Sequence, residues 1–239
     1  MPTASLSACD EAGGGLLLVA LAVGPALARS YTAPGQYVEL ITPAARGYFV
    51  LAGPVGESPW ELLVKNAGDV AEALVAMPVG SAVDLAGPMG AGFDLARVAS
   101  RPVVVAVVGS AVAVARPVLA ARIAQGAAGS TFLFLGLRAP TDLPIAAEVS
   151  SWSERGVHVV LCLSRSELDH HPEILPLATR AGGYVQDALA RAVEAGVVPP
   201  GALALVAGPD AMLAALRGFA TAYGAANRSA TPIEIVTNV

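Results

Sequence analysis

The run Pro102-Val-Val-Val-Ala-Val-Val-Gly109 constrains this chain more than any other stretch, because seven of its eight residues are apolar and five are valine. A strand with one wet face alternates apolar and polar residues. An unbroken run predicts a strand buried on both faces, as in the interior of a parallel sheet. The chain then turns at Gly109-Ser110, and the Ala-rich run that follows predicts a helix whose free N-terminal amides and dipole favour an anion. Strand, small-residue turn and helix are what a nucleotide pyrophosphate site requires. The same unit also occurs in folds that bind no nucleotide, so it is necessary for such a site without identifying one.

The pattern repeats downstream. Strands are predicted at Val103–Val108, Thr131–Leu135, Val157–Leu163 and Leu203–Ala207, with helices through Val114–Gln125, Ile145–Glu154, Gln186–Ala195 and Ala211–Tyr223. Strict alternation of strand and helix implies an α/β doubly wound parallel sheet, which takes ligands at the carboxyl ends of its strands. Pro117 is expected near the start of its helix, where a missing amide bond costs little.

The first half reads differently. Short apolar runs at Leu16–Val23, Tyr37–Ile41, Tyr48–Leu51, Trp60–Val64 and Val83–Leu85 are separated by Gly-Pro and Pro-Gly turn chemistry, which predicts a small antiparallel β-barrel. Residues 1–13 are small and polar and are expected to fray. One helix is expected at Asp69–Met77 with Asp69 as its cap. The 239 residues therefore divide into a barrel at 1–98 and an α/β domain at 99–239.

A net charge of -5 supplies no basic face for a phosphate backbone, so nucleic acid is not an expected partner. Two cysteines, Cys9 and Cys162, are too few for an iron–sulfur cluster and make no zinc spacing. Asp169-His170-His171 lacks a placed third ligand, so no metal is expected there. His158 reads as a satisfied core or edge residue, and Trp60 and Trp152 as packing residues. Gly15–Ala28 has an apolar centre and an Ala-x-Ala end, yet no Lys or Arg precedes Arg29, against a secretory signal. The run is also too short to span a bilayer, and a cytoplasmic protein is expected.

Taken in order, Pro34–Val38 (PGQYV), Arg46–Phe49 (RGYF), Gly87–Phe93 (GPMGAGF), Val108–Val114 (VGSAVAV), Phe134–Arg138 (FLGLR), Leu163–Arg165 (LSR), Gly183–Asp187 (GYVQD) and Ala207–Met212 (AGPDAM) resemble the ferredoxin–NADP reductase-like superfamily. The resemblance covers residues from about 16 to 239. It implies an FAD-binding barrel in front of an NAD(P)-binding domain. In that family an R-x-Y-[S/T] signature gives an Arg to the FAD pyrophosphate, a Tyr to the isoalloxazine and a hydroxyl near flavin N5. Here Arg46 and Tyr48 match, whereas the hydroxyl position is Phe49. The second phosphate loop corresponds to Gly68, Asp69, Val70 and Ala71, without its hydroxyl and with an added carboxylate. The nucleotide turn G-T-G-I-A-P corresponds to Gly109, Ser110, Ala111, Val112, Ala113 and Val114. The Cys-Gly-Pro near the nicotinamide corresponds to Ala207, Gly208 and Pro209.

The adenine end matches better. By resemblance, Ser164 and Arg165 would take an adenosine 2′-phosphate and Tyr184 and Gln186 the adenine, which favours NADP over NAD. The chemistry agrees, since a guanidinium suits a phosphate and a Tyr face suits a base; a solvated loop Arg is the alternative. Two functions are compatible with this pattern. One is an electron-transfer oxidoreductase passing a hydride from NAD(P)H to FAD and electrons to a separate protein acceptor. The other is a degenerate relative without tightly bound FAD, acting as a nucleotide-sensing or protein-interaction subunit; a narrower variant acquires flavin only within a complex. No catalytic residue is assigned.

Overall fold

The computed structural model describes residues 3–42, 45–165, 178–226 and 233–237. In its first half, β1 (Thr3–Gly13), β2 (Leu16–Ala22), α1 (Pro25–Ser30), β3 (Tyr37–Ile41), β4 (Arg46–Val50), β5 (Trp60–Lys65), α2 (Asp69–Ala76) and β6 (Ala82–Met89) follow one another. The strands form one antiparallel sheet in the order β4-β3-β6-β1-β2-β5. Its two edges meet through the Leu51↔Leu62 bridge and the Ala52 amide, which donates to the Glu61 carbonyl at 2.7 Å, so the sheet closes as a barrel. Val38, Leu40, Leu62, Val83 and Leu85 fill its interior.

The second half follows α3 (Leu95–Ala99) with β7 (Val103–Val108), α4 (Val112–Ala124), β8 (Thr131–Leu137), α5 (Ala146–Glu154), β9 (His158–Leu163), β10 (Thr179–Gly182), α6 (Val185–Glu194), β11 (Leu203–Ala207), α7 (Asp210–Ala226) and β12 (Glu234–Thr237). All strand pairs in this sheet are parallel, in the order β10-β9-β8-β7-β11-β12. The valine run behaves as expected of a central strand. Val103, Val105 and Val107 pack with α4 and α5, while Val104 and Ala106 pack with α6 and α7. In the chain, α3 stands between the two sheets.

Several sequence expectations are corrected. Residues 3–13 are not frayed: they form β1 between β6 and β2, because Ala4 and Leu6 point into the barrel while polar neighbours face water. That alternation of small and polar residues imitates a loop. Gly68, at φ +86°, is the N-cap of α2, and Asp69 is its first helical residue with no capping bond. Pro117 lies in the second turn of α4, inside the helix and buried. The edge strands β10 and β12 were not expected. Asp169, His170 and His171 lie outside the described residues. His158 is surface-exposed, stacked on Phe132 at 4.7 Å with its Nε2 3.1 Å from the Gly129 carbonyl, so it is engaged structurally. Trp60 and Trp152 are buried as expected. Among the described residues, no helix is long and apolar enough to cross a membrane.

The two units share a core. Leu16, Ala52, Leu63 and Phe93 from the barrel side join one buried cluster with β7, α4 and α5. Arg116 on α4, 12% exposed, bridges the units: its Nη1 donates to Glu61 of β5 at 2.7 Å, and its Nε and Nη2 to Glu148 of α5 at 2.8 and 2.9 Å. Burial opposes this charge, but the two carboxylates outweigh it and raise the guanidinium pKa.

Candidate functional site

At the carboxyl ends of the parallel strands lies a cleft of about 670 Å³. It brings together six residues singled out in the sequence: Gly109, Ser164, Arg165, Tyr184, Gln186 and Pro209. Gly109 leaves β7 at φ +55° with open space where a side chain would point, so its need for glycine is conformational. It opens the 3-10 turn Gly109–Ala111 that leads into α4. Ser110 is exposed on this turn and Gly208 follows β11; neither lines the cleft. A Cβ on Gly208 would stand 2.5 Å from the Met212 methyl, so Met212 lies over Gly208 as part of the cleft wall.

Two arginines meet at the lip. Past the ends of β8 and β9 the backbone pairing continues, with Ser164 N–H donating to the Leu137 carbonyl at 3.0 Å and Arg165 N–H to the Arg138 carbonyl at 2.9 Å. This ladder sets Arg138 and Arg165 side by side. Arg138 is steadied by Asp142, whose Oδ2 accepts from its Nε at 3.3 Å. Gly183, at φ +98°, donates to the Leu163 carbonyl and turns the chain so that Tyr184, 61% exposed, stands at the N-cap of α6 over the cleft. Two guanidinium groups and an exposed aromatic ring lining one cleft suit a phosphorylated nucleoside.

The floor is apolar and tightly closed. A Cβ on Gly136 would meet Val185 Cγ2 at 2.8 Å and Val108 Cγ2 at 3.0 Å, so glycine lets these valines seal the base. Cys162 sits there too. Burial pushes its thiol up to about 12, a little relieved by Arg191 and reinforced by Asp187, so it is a neutral floor residue and not a nucleophile.

The remaining candidates lie on the barrel, and the strand register sorts them. Arg46 pairs with Ile41 and Tyr48 with Glu39 on the outer face, whereas Gly47 and Phe49 pair with Leu40 and Val38, which are fully buried inside. Arg46 is open to solvent with Glu39 at 3.9 Å. Tyr48 is 66% exposed and edge-on to Tyr37 at 6.0 Å. Val50, next on the same outer row, packs against the core shared by the two sheets. Phe49 instead folds its ring over Gly47 and packs into the barrel cluster with Val70. Ala71 is 1% exposed in that cluster. The side chain of Ala71 is thus core, Phe49 and Val70 pack partly buried against it, and Gly68 with the first turn of α2 faces outward.

These residues accommodate FAD at the ring end better than at the phosphates. Tyr48 offers a largely exposed ring and Arg46 an accessible guanidinium. The N-terminus of α2 has no capping side chain, and a Cβ at Gly68 would meet nothing within 4 Å, so an anion can approach its amides. Asp69 and Glu72 in the same first turn oppose that approach. The group fits, with a weakened phosphate end.

The sequence did not single out Gly14, Gly136, Asp142 and Met212 as cleft residues, and it marked Arg138 only as part of a motif. FLGLR carried Gly136 and Arg138, but the placement of Arg138 beside Arg165 comes from sheet register, which one strand does not reveal. Cys162 drew notice for metal chemistry and turns out to be part of the floor.

No family model matches the chain. The fruit protein pKIWI502 of Actinidia deliciosa is 26% identical over 187 residues, covering 72% of this chain. The chain spans 56% of the length of that curated relative. Among solved structures, the Amycolatopsis cytochrome P450 reductase GcoB superimposes with a TM-score of 0.78 at 22% identity, covering 99% of this chain and 68% of its own. The ferredoxin reductase in carbazole 1,9a-dioxygenase gives 0.76 at 19% identity, covering 100% and 68%. A ferredoxin NADP+ reductase from Neisseria gonorrhoeae, determined with bound FAD and NADP, gives 0.74 at 14% identity and 99% and 98% coverage. The chain therefore has the ferredoxin–NADP reductase-like fold, as its motif order implied.

Proposed function

We propose that the protein is an electron-transfer oxidoreductase that takes NADP(H) in the cleft and FAD on the outer face of the barrel, and serves a separate protein acceptor. The observation that carries this reading is the convergence of Ser164, Arg165, Tyr184, Gln186, Gly109 and Pro209 in one cleft. Arg165 and Ser164 would hold the 2′-phosphate, Tyr184 would cover the adenine, and the Gly109 turn would admit the pyrophosphate toward the start of α4. Tyr48 and Arg46 would hold the flavin from the barrel side, with the amides after Gly68 near its phosphates. Bound FAD would supply the conversion of two-electron hydride chemistry into single-electron transfer, which no side chain here provides. The likeness of fold to reductases whose names include a P450 system and a dioxygenase supports a separate acceptor.

A second reading rests on Asp69 and Glu72, which weaken the phosphate end of the flavin site. It makes the protein a nucleotide-binding or interaction subunit without tightly held FAD. The absorption spectrum of the purified protein, followed by anaerobic NADPH addition, separates them. A flavin spectrum bleached by NADPH is expected for the reductase; no flavin uptake on adding FAD, with NADP+ binding intact, selects the subunit.

A further inference from the structure

We infer that the tip of the β1–β2 hairpin is an interdomain clasp that builds one wall of the nucleotide cleft, with Gly14 as the residue that positions it. The inference rests on the nucleotide reading of the cleft. Gly13 pairs with Leu16, leaving Gly14 and Gly15 as a two-residue turn with φ of +59° and +71°, the backbone of the tight hairpin turns that match strand twist. This tip leaves the barrel and meets the segment after β8. Gly14 lines the cleft, and a Cβ on it would lie 2.3 Å from the Asp142 carbonyl oxygen and 3.0 Å from the Pro144 nitrogen. A Cβ on Gly13 would stand 3.1 Å from the Leu143 carbonyl. Only glycine lets two backbones approach this closely.

The receiving segment carries a second mark of the docking. Ile145 is the non-glycine residue at positive φ among those described, at +46°, a conformation that strains a β-branched side chain. Its N–H donates to the Ala12 carbonyl of the hairpin at 2.6 Å, and its side chain is buried in the core shared with Leu16. Strain of this kind persists where surroundings impose it. Here the barrel hairpin imposes it on the segment that ends in the N-cap of α5. The same segment holds Asp142, which steadies Arg138 at the cleft lip. Hairpin, Asp142 segment and lip therefore form one connected unit, so docking of the tip and nucleotide binding favour each other.

Gly15 provides a matched control, since its φ is equally positive but a Cβ there would meet nothing within 4 Å. Gly15→Ala adds turn strain alone, whereas Gly14→Ala adds a collision with the Asp142 segment. Titration with NADP+ should show Gly14→Ala weakened by roughly fivefold or more, and Gly15→Ala by less than about twofold, given the usual size of coupling between sites. Hydrogen exchange at the Ile145 amide reads the clasp directly: NADP+ should slow it in the unmodified protein, and Gly14→Ala should speed it without nucleotide. The exchange measurement on the unmodified chain stands even if a variant fails to fold. Equal NADP+ affinities for the two variants, or an Ile145 amide indifferent to NADP+ that is bound, overturn the clasp alone. No NADP+ binding by the unmodified protein overturns the clasp together with the nucleotide reading.

Discussion

Arg165→Ala is the sharpest test of what the cleft recognises. The side chain stands exposed at the lip beside Arg138, and among the described residues it forms no ion pair. Removing it therefore breaks no internal bridge, and a loss of affinity would report the ligand contact. A hydrogen bond to a charged group is worth about 1.5–3 kcal/mol, but an exposed guanidinium is partly screened by water and salt. We expect about 1–2 kcal/mol, or roughly 5–30-fold, for NADP+. NAD+, lacking the 2′-phosphate, should change by less than about twofold. Calorimetric titration of both nucleotides against both proteins measures this, and repeating it at higher ionic strength should shrink the NADP+ difference while leaving NAD+ unmoved. If Arg138→Ala and the double variant complete the cycle, two guanidinium groups sharing one phosphate should give non-additive losses. Equal proportional losses for NADP+ and NAD+ would show that Arg165 does not read the 2′-phosphate, and the reasoning from the paired strand ends would fall with it.

Arg116→Ala strands two carboxylates against each other between the units. A fully buried pair costs about 3–5 kcal/mol when broken, and since Glu61 and Glu148 retain 25% and 38% exposure about 2–4 kcal/mol is expected by urea unfolding. Adding Glu61→Gln and Glu148→Gln should recover part of the loss, because no charge is then unpaired; no recovery would assign the effect to packing. Cys162 is raised to about 12 by burial, so its neutral form stabilises the fold fully below the unfolded value of 9.0, and that contribution is lost as pH rises from there toward 12. Cys162 should consequently resist alkylation at about pH 8 in the native protein, checked by mass spectrometry of labelled peptides; rapid labelling in the folded state contradicts its placement on the cleft floor. Phe49→Ser with Ala71→Ser restores hydroxyls on paper, but both positions face the barrel interior, so the pair should lower stability by about 2–4 kcal/mol in thermal or urea unfolding without raising FAD occupancy. Higher occupancy in a stable double variant would show that these side chains reach the flavin.

Where burial was two-sided, the sequence was plain. The β7 valines could be placed because both faces of that strand are covered, and Leu203–Ala207 emerged with the same bounds for the same reason. In β1 no such signal exists, because residues such as Ser5, Ser7 and Asp10 contribute nothing apolar and pairing with two neighbours is set by distant strands. The edge strands β10 and β12 were hidden for a related reason: four residues of partial burial carry too little periodicity to read.

The cleft and the barrel differ in how far motif letters carried. In the cleft, each singled-out residue follows a strand end, and parallel strands deliver their ends to one place whatever their exact register, so order along the chain was nearly sufficient. On the barrel, one residue of register decides whether a side chain faces outward or into the core. Arg46 and Tyr48 fall outward and Phe49 falls inward, so the residue at the missing hydroxyl is a partly buried aromatic packed on Gly47 and Val70. Ala71 is likewise a packing residue. The case against a flavin then rests less on absent hydroxyls than on the two carboxylates at the start of α2, and it is electrostatic. Repulsion weakens with added salt whereas a missing hydrogen bond does not. Salt also screens the attraction of Arg46, so the neutralised pair Asp69→Asn and Glu72→Gln isolates the repulsion. Tighter FAD binding than in the unmodified protein, by a margin that shrinks as ionic strength rises, identifies the two carboxylates as the cause, and equal affinities return the weakness to the geometry of the Gly68 loop.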